Sequence, residues 1–313
     1  MLVLKAVRAF ATSEHRLTAA ALIRVGLGSV MIVFYALHVM QRAFIWGPNG
    51  TVDWVGWKAL LPHDALSLFV YSGSAAYAET MFWLALAVSV AYTLGVLPTI
   101  SSVLFYIMTW TMFDRNYATL DGGQNLLGLF ALYLCFANTG ARLSAYQVRL
   151  RIPARLARLR AIVHNTAMAA CVMQIAVLYL FSGFYKVTGH KWQDGTALYY
   201  VMRTREFTLP GVSRLFYEHG MLITVMTYAA MGFLLVMPTL MWLPRAKPFL
   251  FAGAVAFHLG IAVFMGLPWF SATMIVADVV LFSDWQFEAL RARAAALLKR
   301  APRLLPAARY STS

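Results

Sequence analysis

The chain has 313 residues, 61% of them hydrophobic and only 12% charged, with a mean hydropathy of +0.68. Soluble domains carry about 25% charged residues, so this composition excludes a water-soluble globular protein and points to a polytopic membrane protein. A formal net charge of +14 would suit a nucleic-acid binder, but its distribution along the chain argues instead for membrane insertion and contact with anionic lipid, with no nucleic-acid partner.

A helix needs about 20 apolar residues to cross the hydrocarbon layer, and on that length the sequence predicts an all-α transmembrane bundle of about eight spans. The first is Thr18 to Met40. The basic residues before it resemble a secretory leader, but the apolar run is too long and no small-residue cleavage pattern follows, so it reads as a retained span. Ala65 to Tyr71 is apolar but too short to cross and reads as an interfacial or re-entrant piece. Glu79 to Leu97 and Pro98 to Phe113 follow as a tight hairpin, and then comes Gly123 to Asn138. Thr166 to Tyr185, Met221 to Leu243, Phe249 to Leu267 and the shorter Phe270 to Phe282 complete the set. No internal repeat or low-complexity segment appears, so residues 1–290 are expected to form one transmembrane domain and 291–313 a basic tail, with Phe287 to Leu305 able to lie on a membrane surface.

Lysine and arginine bias orients such a bundle, because loops retained in the cytoplasm keep an excess of both. Lys5, Arg8 and Arg16, the arginine-rich loop after the fourth span, Arg245 with Lys247, and the basic tail all fall on one side. The opposite side is balanced between acid and base. Both termini are therefore expected in the cytoplasm of a multi-pass cell-membrane protein. Cys135 and Cys171 form no disulfide or zinc motif and read as packing residues, and no His/Glu spacing supplies a metal site.

Charged residues inside apolar segments are costly and need a reason. Arg24 in the first span and Asp278 in the last lie at matching depths, which predicts a structural ion pair between them. His258, in the middle of its span, could bond a backbone carbonyl or handle a proton. Lys186 ends the fifth span. Below it Cys171, Ile175, Tyr179 and Ser182 recur at helical spacing on the same face, a polar strip that suits a neighbouring helix better than lipid. Lys186 could snorkel as an anchor, or it could face a cavity and act as a base or substrate anchor, with Tyr185, His190, Trp192, Asp194, Asp121 and Gln124 close in the expected topology.

The order "LIRVGLG", "TLDGGQNLLGLF", "YLFSGFYKVTGHKWQDGTALYY" and "HLGIAVFMGLPWFSATMIVADVVLF" resembles the HTTM group of membrane proteins, over nearly the whole chain. That group includes the vitamin K-dependent γ-carboxylases, and within it the chain is most similar to the sporulation-delaying protein B family. The carboxylase resemblance implies that Lys186 stands where a lysine deprotonates vitamin K hydroquinone, with a quinone or vitamin K-type lipid as candidate cofactor. Where that family has a functional histidine at the start of the fourth span, this chain has Gln124, which cannot titrate, and no large extracytoplasmic portion is expected after the last span. Both departures argue against glutamate carboxylation. The sporulation-delaying protein B resemblance implies a factor, enzymatic or not, for maturing an exported antimicrobial peptide from its precursor, together with a small companion protein. A non-catalytic helper or transporter is the remaining alternative. The catalytic candidates are thus Lys186, Gln124 and His258, and no protease motif is present.

Overall fold

The computed structural model describes residues 9–62, 66–117, 120–147 and 152–300. Among them the regular structure is helical, and β-pairing is limited to two isolated bridges, Asn49 with Asp53 and Val96 with Tyr146. The main helices are α1 (Leu17–His38), α2 (Ala75–Leu94), α3 (Pro98–Arg115), α4 (Gly122–Leu134), α5 (Ala154–Val187), α6 (Gly220–Leu240), α7 (Lys247–Phe264), α8 (Pro268–Asp278) and α9 (Asp284–Arg300). Each of the apolar segments predicted from sequence is helical. Among the described residues five helices are long and apolar enough to cross a membrane: Leu17–Trp46, which continues α1 through a 3-10 turn and a short helix, together with α2, α5, α6 and α7. The other three fall short for identifiable reasons. Helix α3 buries Ser101, Ser102, Thr109 and Thr111 inside the bundle, while α4 and α8 have only 13 and 11 residues.

The structure also moves one boundary far from its sequence position. Helix α5 runs for 34 residues and begins at Ala154, so Arg155, Arg158 and Arg160 lie on a helix and not in a loop. Leu, Ala and Arg are all strong helix formers, and Pro153 at the N-cap disfavours helical backbone in the residue before it, which sets the start. The short piece ending at Tyr71 is a 3-10 turn, Leu68–Tyr71, and Ala65 lies outside the described residues. Of the basic tail, residues 301–313 lie outside them too.

Helix α1 sits at the centre of the bundle, packed on α2 and α8; α8 in turn packs on α7 and α4, and α5 packs on α6. Close approach is possible because small residues line α1. Ala19, Ala20 and Ala21 are fully buried, and a Cβ added at Gly28 or Gly26 would overlap Thr93 or Val276 respectively. In lipid, where apolar burial between helices gives little drive, such small-residue seams let backbones meet and gain dispersion contact.

At the end of the bundle where α1 begins, both ends of the fold are tied together. Arg16, with a left-handed φ of 61°, donates to the carbonyl oxygens of Val280 and Phe282. Asp284 accepts from the backbone N–H of Leu17 at 3.0 Å and of Thr18 at 2.8 Å, so the first turn of α1 is capped by the first residue of α9. Burial alone would raise the Asp284 carboxyl, but these hydrogen bonds outweigh it and hold it below its ordinary value. Nearby, His15 N–H donates to Asn165 Oδ1 at 2.9 Å, and Arg160 pairs with Glu14 at 2.7 Å.

Candidate functional site

A cavity of about 900 Å³ opens between α5, α6, α7 and α8, roofed by the segment after α5 and by the start of α4. Helix α5 contributes Tyr179, Ser182 and Lys186, which the spacing of three and four residues aligns on one face. Most of the remaining wall is apolar and comes from α6, α7 and α8, including Met226, Phe233, Phe257, Phe270 and Met274. A large apolar cleft with a few convergent polar groups is the usual form of a small-molecule or lipid site.

Lys186 is half-buried at the mouth, its ammonium 4.9 Å from the centre of the Trp192 ring. Trp192 is held there by a short helix, His190–Gln193, that follows directly on α5. Gly195, at φ 75°, turns the chain against Thr224 and Tyr228 of α6, and Tyr228 Oη donates to Gln193 O at 2.7 Å. This pins the loop to the bundle and the indole to the mouth. Glu206, not picked out in the sequence as a site residue, lines the same mouth and is exposed.

The cavity floor is polar. Tyr179 Oη donates to Asp278 Oδ2 at 2.8 Å and is 2.9 Å from His258 Nε2. Asp278 is fully buried, and Tyr179 and His258 both line the cavity. Three helices, α5, α7 and α8, each supply one member of this chain.

Of the residues singled out in the sequence, Lys186, His258, Asp121, Tyr179, Ser182 and Trp192 therefore meet at one cavity. Tyr185, 76% exposed, and the exposed His190 and Asp194 are not among its lining. Asp194 is occupied locally: the hydroxyl and N–H of Thr196 bond its carboxylate and hold it below its ordinary value. Gln124 is also structural in this fold. Its Oε1 accepts from Asp121 N–H at 2.7 Å while Asp121 accepts from the N–H groups of Gly123 and Gln124, a capping box that starts α4.

The predicted Arg24–Asp278 ion pair is not formed. Arg24 donates to Ser144 Oγ at 3.0 Å and to the carbonyl of Leu143, while Asp278 is taken by Tyr179. A guanidinium presents a fork of donors, and a turn offering a carbonyl and a hydroxyl satisfies part of it without a carboxylate. Among the described residues no group of three or more His, Cys, Asp or Glu side chains could hold a metal ion.

The HTTM domain model matches residues 17–286, a stretch that takes in α1 to α8 and the whole cavity. No curated protein and no solved structure matches the chain.

Proposed function

The chain belongs to the HTTM domain family, and on that premise we propose that it is a multi-pass protein of the cell membrane whose working site is the cavity beside Lys186. The charge distribution supports a topology with both termini on the cytoplasmic side and the Lys186 mouth in the outer leaflet. The proposed role is the maturation of an exported antimicrobial peptide from its precursor, together with a small companion protein, as the resemblance to the sporulation-delaying protein B family implies.

The observation that carries the reading is the position of Lys186. A snorkelling anchor would extend to the membrane surface, whereas this lysine lines an apolar cavity with Tyr179, Ser182, Trp192 and His258. There it can hold an acidic group of a substrate, or, as a free amine, take a proton from one. Arginine separates this from anchoring, since a guanidinium snorkels as well as an ammonium but does not give up its proton. Lys186→Arg and Lys186→Ala should both accumulate normally in the membrane and both fail to mature a co-expressed precursor. Wild-type activity in Lys186→Arg would remove the proton-transfer role and leave a charge clamp.

The apolar walls favour a second reading, in which a quinone or vitamin K-type lipid occupies the cavity. The residues fit such a group: a long apolar cleft for a ring and chain, and Lys186 or the Tyr179–His258 pair for its oxygens. A bound quinol would supply redox chemistry that no side chain of this site has. Lys186 would then hold or deprotonate a ring hydroxyl, and the walls would exclude water. Quinone copurifying with wild type but lost in a Phe233→Trp variant would support this reading; its absence from wild type purified out of quinone-containing membranes would refute it.

A further inference from the structure

The proposed role leaves unused a second cleft, of about 310 Å³, at the end of the bundle where α1 begins. It lies between the segment that enters α1, the face of α5 from Asn165 to Met173, and Trp242 just after α6. Asn165 fixes its rim, accepting from His15 N–H at 2.9 Å and donating to the carbonyls of Phe10 and Ser13 at 2.8 Å each. Arg16 lines the cleft as well. Nη1 of this guanidinium is spent on the carbonyls of Val280 and Phe282, whereas Nε and Nη2 have no hydrogen-bond partner among the described residues and are not enclosed by protein. Those two nitrogens form the edge of a guanidinium that grips two oxygens of one phosphate. The carboxylates nearby are engaged. Asp284 caps α1 and attracts Arg16 without forming a salt bridge, and Glu14 holds Arg160 and Asn138.

The rest of the cleft suits what a phosphate is attached to in a bilayer. Below Asn165 the wall is apolar, with Met168, Ala169, Val172 and Met173 reaching about 12 Å along α5. Met173 is 51% and Trp242 52% exposed, so the wall opens sideways onto lipid. Its polar end lies where α1 starts and α6 stops, the level at which headgroups and an interfacial tryptophan belong. We propose that this cleft binds one anionic phospholipid, with its phosphate on Nε and Nη2 of Arg16 and an acyl chain against Val172 and Met173. The proposed topology makes this the cytoplasmic leaflet, where a basic protein surface attracts anionic lipid. Lys247 is close enough to repel Arg16, so a choline headgroup would bring a third cation to the site, while a glycerol headgroup brings none.

Purified full-length protein in detergent can be titrated with phosphatidylglycerol and phosphatidylcholine of the same acyl chains, and the retained lipid counted by native mass spectrometry. Wild type should retain one phosphatidylglycerol about tenfold more tightly than phosphatidylcholine. Arg16→Gln should remove that preference. Ala169→Trp fills the cleft from an exposed position and leaves the bonds of Arg16 to Val280 and Phe282 in place. It should lower the affinity for phosphatidylglycerol about tenfold, and it decides the matter alone if Arg16→Gln does not fold. Equal affinity of wild type for the two lipids, or retention of neither, overturns the inference. So does a preference that survives undiminished in Ala169→Trp or in folded Arg16→Gln, since the lipid is then held elsewhere, as by the basic tail. Glycerol 3-phosphate at the same concentration as the lipid should not compete; if it displaces phosphatidylglycerol, the site takes a soluble phosphate ester and the lipid assignment falls.

Discussion

Arg24 is fully buried in α1, and its hydrogen bonds reach into the turn at Leu143 and Ser144. The same guanidinium crowds Gly95, where a Cβ would fall 2.1 Å from Nη1, and Gly95 needs its left-handed φ of 69° to end α2. Arg24→Ala should therefore destabilise the protein by about 2–4 kcal/mol, because it removes charged hydrogen bonds and leaves a buried carbonyl without them. A charge swap, Arg24→Asp with Asp278→Arg, should be no better than the worse single change; a swap that restored the wild-type melting temperature would put the two side chains back together. Sequence could place both charges at the same depth, but it could not show a carbonyl 119 positions away in a turn. Lys186, Tyr179 and Ser182 were legible for the opposite reason, since their common face follows from helical spacing on one element. His258 was visible only as an isolated polar residue, because its link to Tyr179 and Asp278 joins three separate helices. Gln124 stands at a position that the family resemblance marks as functional, and the local sequence Asp-Gly-Gly-Gln also makes it the second half of a capping box.

At the scale of elements, hydropathy found the apolar parts of the helices and missed what is helical but polar. Helix α5 is the clear case, since its basic first turns are indistinguishable by hydropathy from the loop before them, although their propensity is helical. Two caps give element-level tests. Asp121→Ala should weaken the start of α4 by about 1 kcal/mol, and Asp121→Asn by less, as measured by thermal unfolding in detergent. Asp284 caps α1 as a carboxylate with its folded value below the ordinary 3.8. A depressed acid stabilises fully above its unfolded value and loses that contribution as the pH falls through its folded one. Wild-type stability should thus carry a component that disappears below about pH 4. Asp284→Asn should lack that component and be less stable at neutral pH. An identical pH profile in the two proteins would show that the carboxylate does not cap α1 in solution.

For the molecule as a whole, the sequence made the all-helical class and the order of the helices legible, because length and hydropathy suffice for both, while a cavity could be expected at Lys186 from its polar strip but its walls depend on which helices pack together. Sidedness can be measured directly. In a background without Cys135 and Cys171, Leu215→Cys should react with an impermeant maleimide on intact cells, and Arg142→Cys only after the membrane is opened; both positions are exposed. Leu215→Cys protected on intact cells and labelled from the cytoplasm would overturn the proposed topology. The tie between Asp284 and the first turn of α1 spans 267 positions of sequence, with Arg16 reaching the turn just before it. During synthesis α1 leaves the ribosome well before α9, yet its N–H groups find their partner only once Asp284 has been translated. The clasp thus acts as a completeness check on biogenesis. A nascent chain stopped short of α9 would hold every residue of the cavity and still present an unfinished helix end to the quality-control proteases, so a stop codon after Ser283 should lower steady-state abundance far more than one after Arg300.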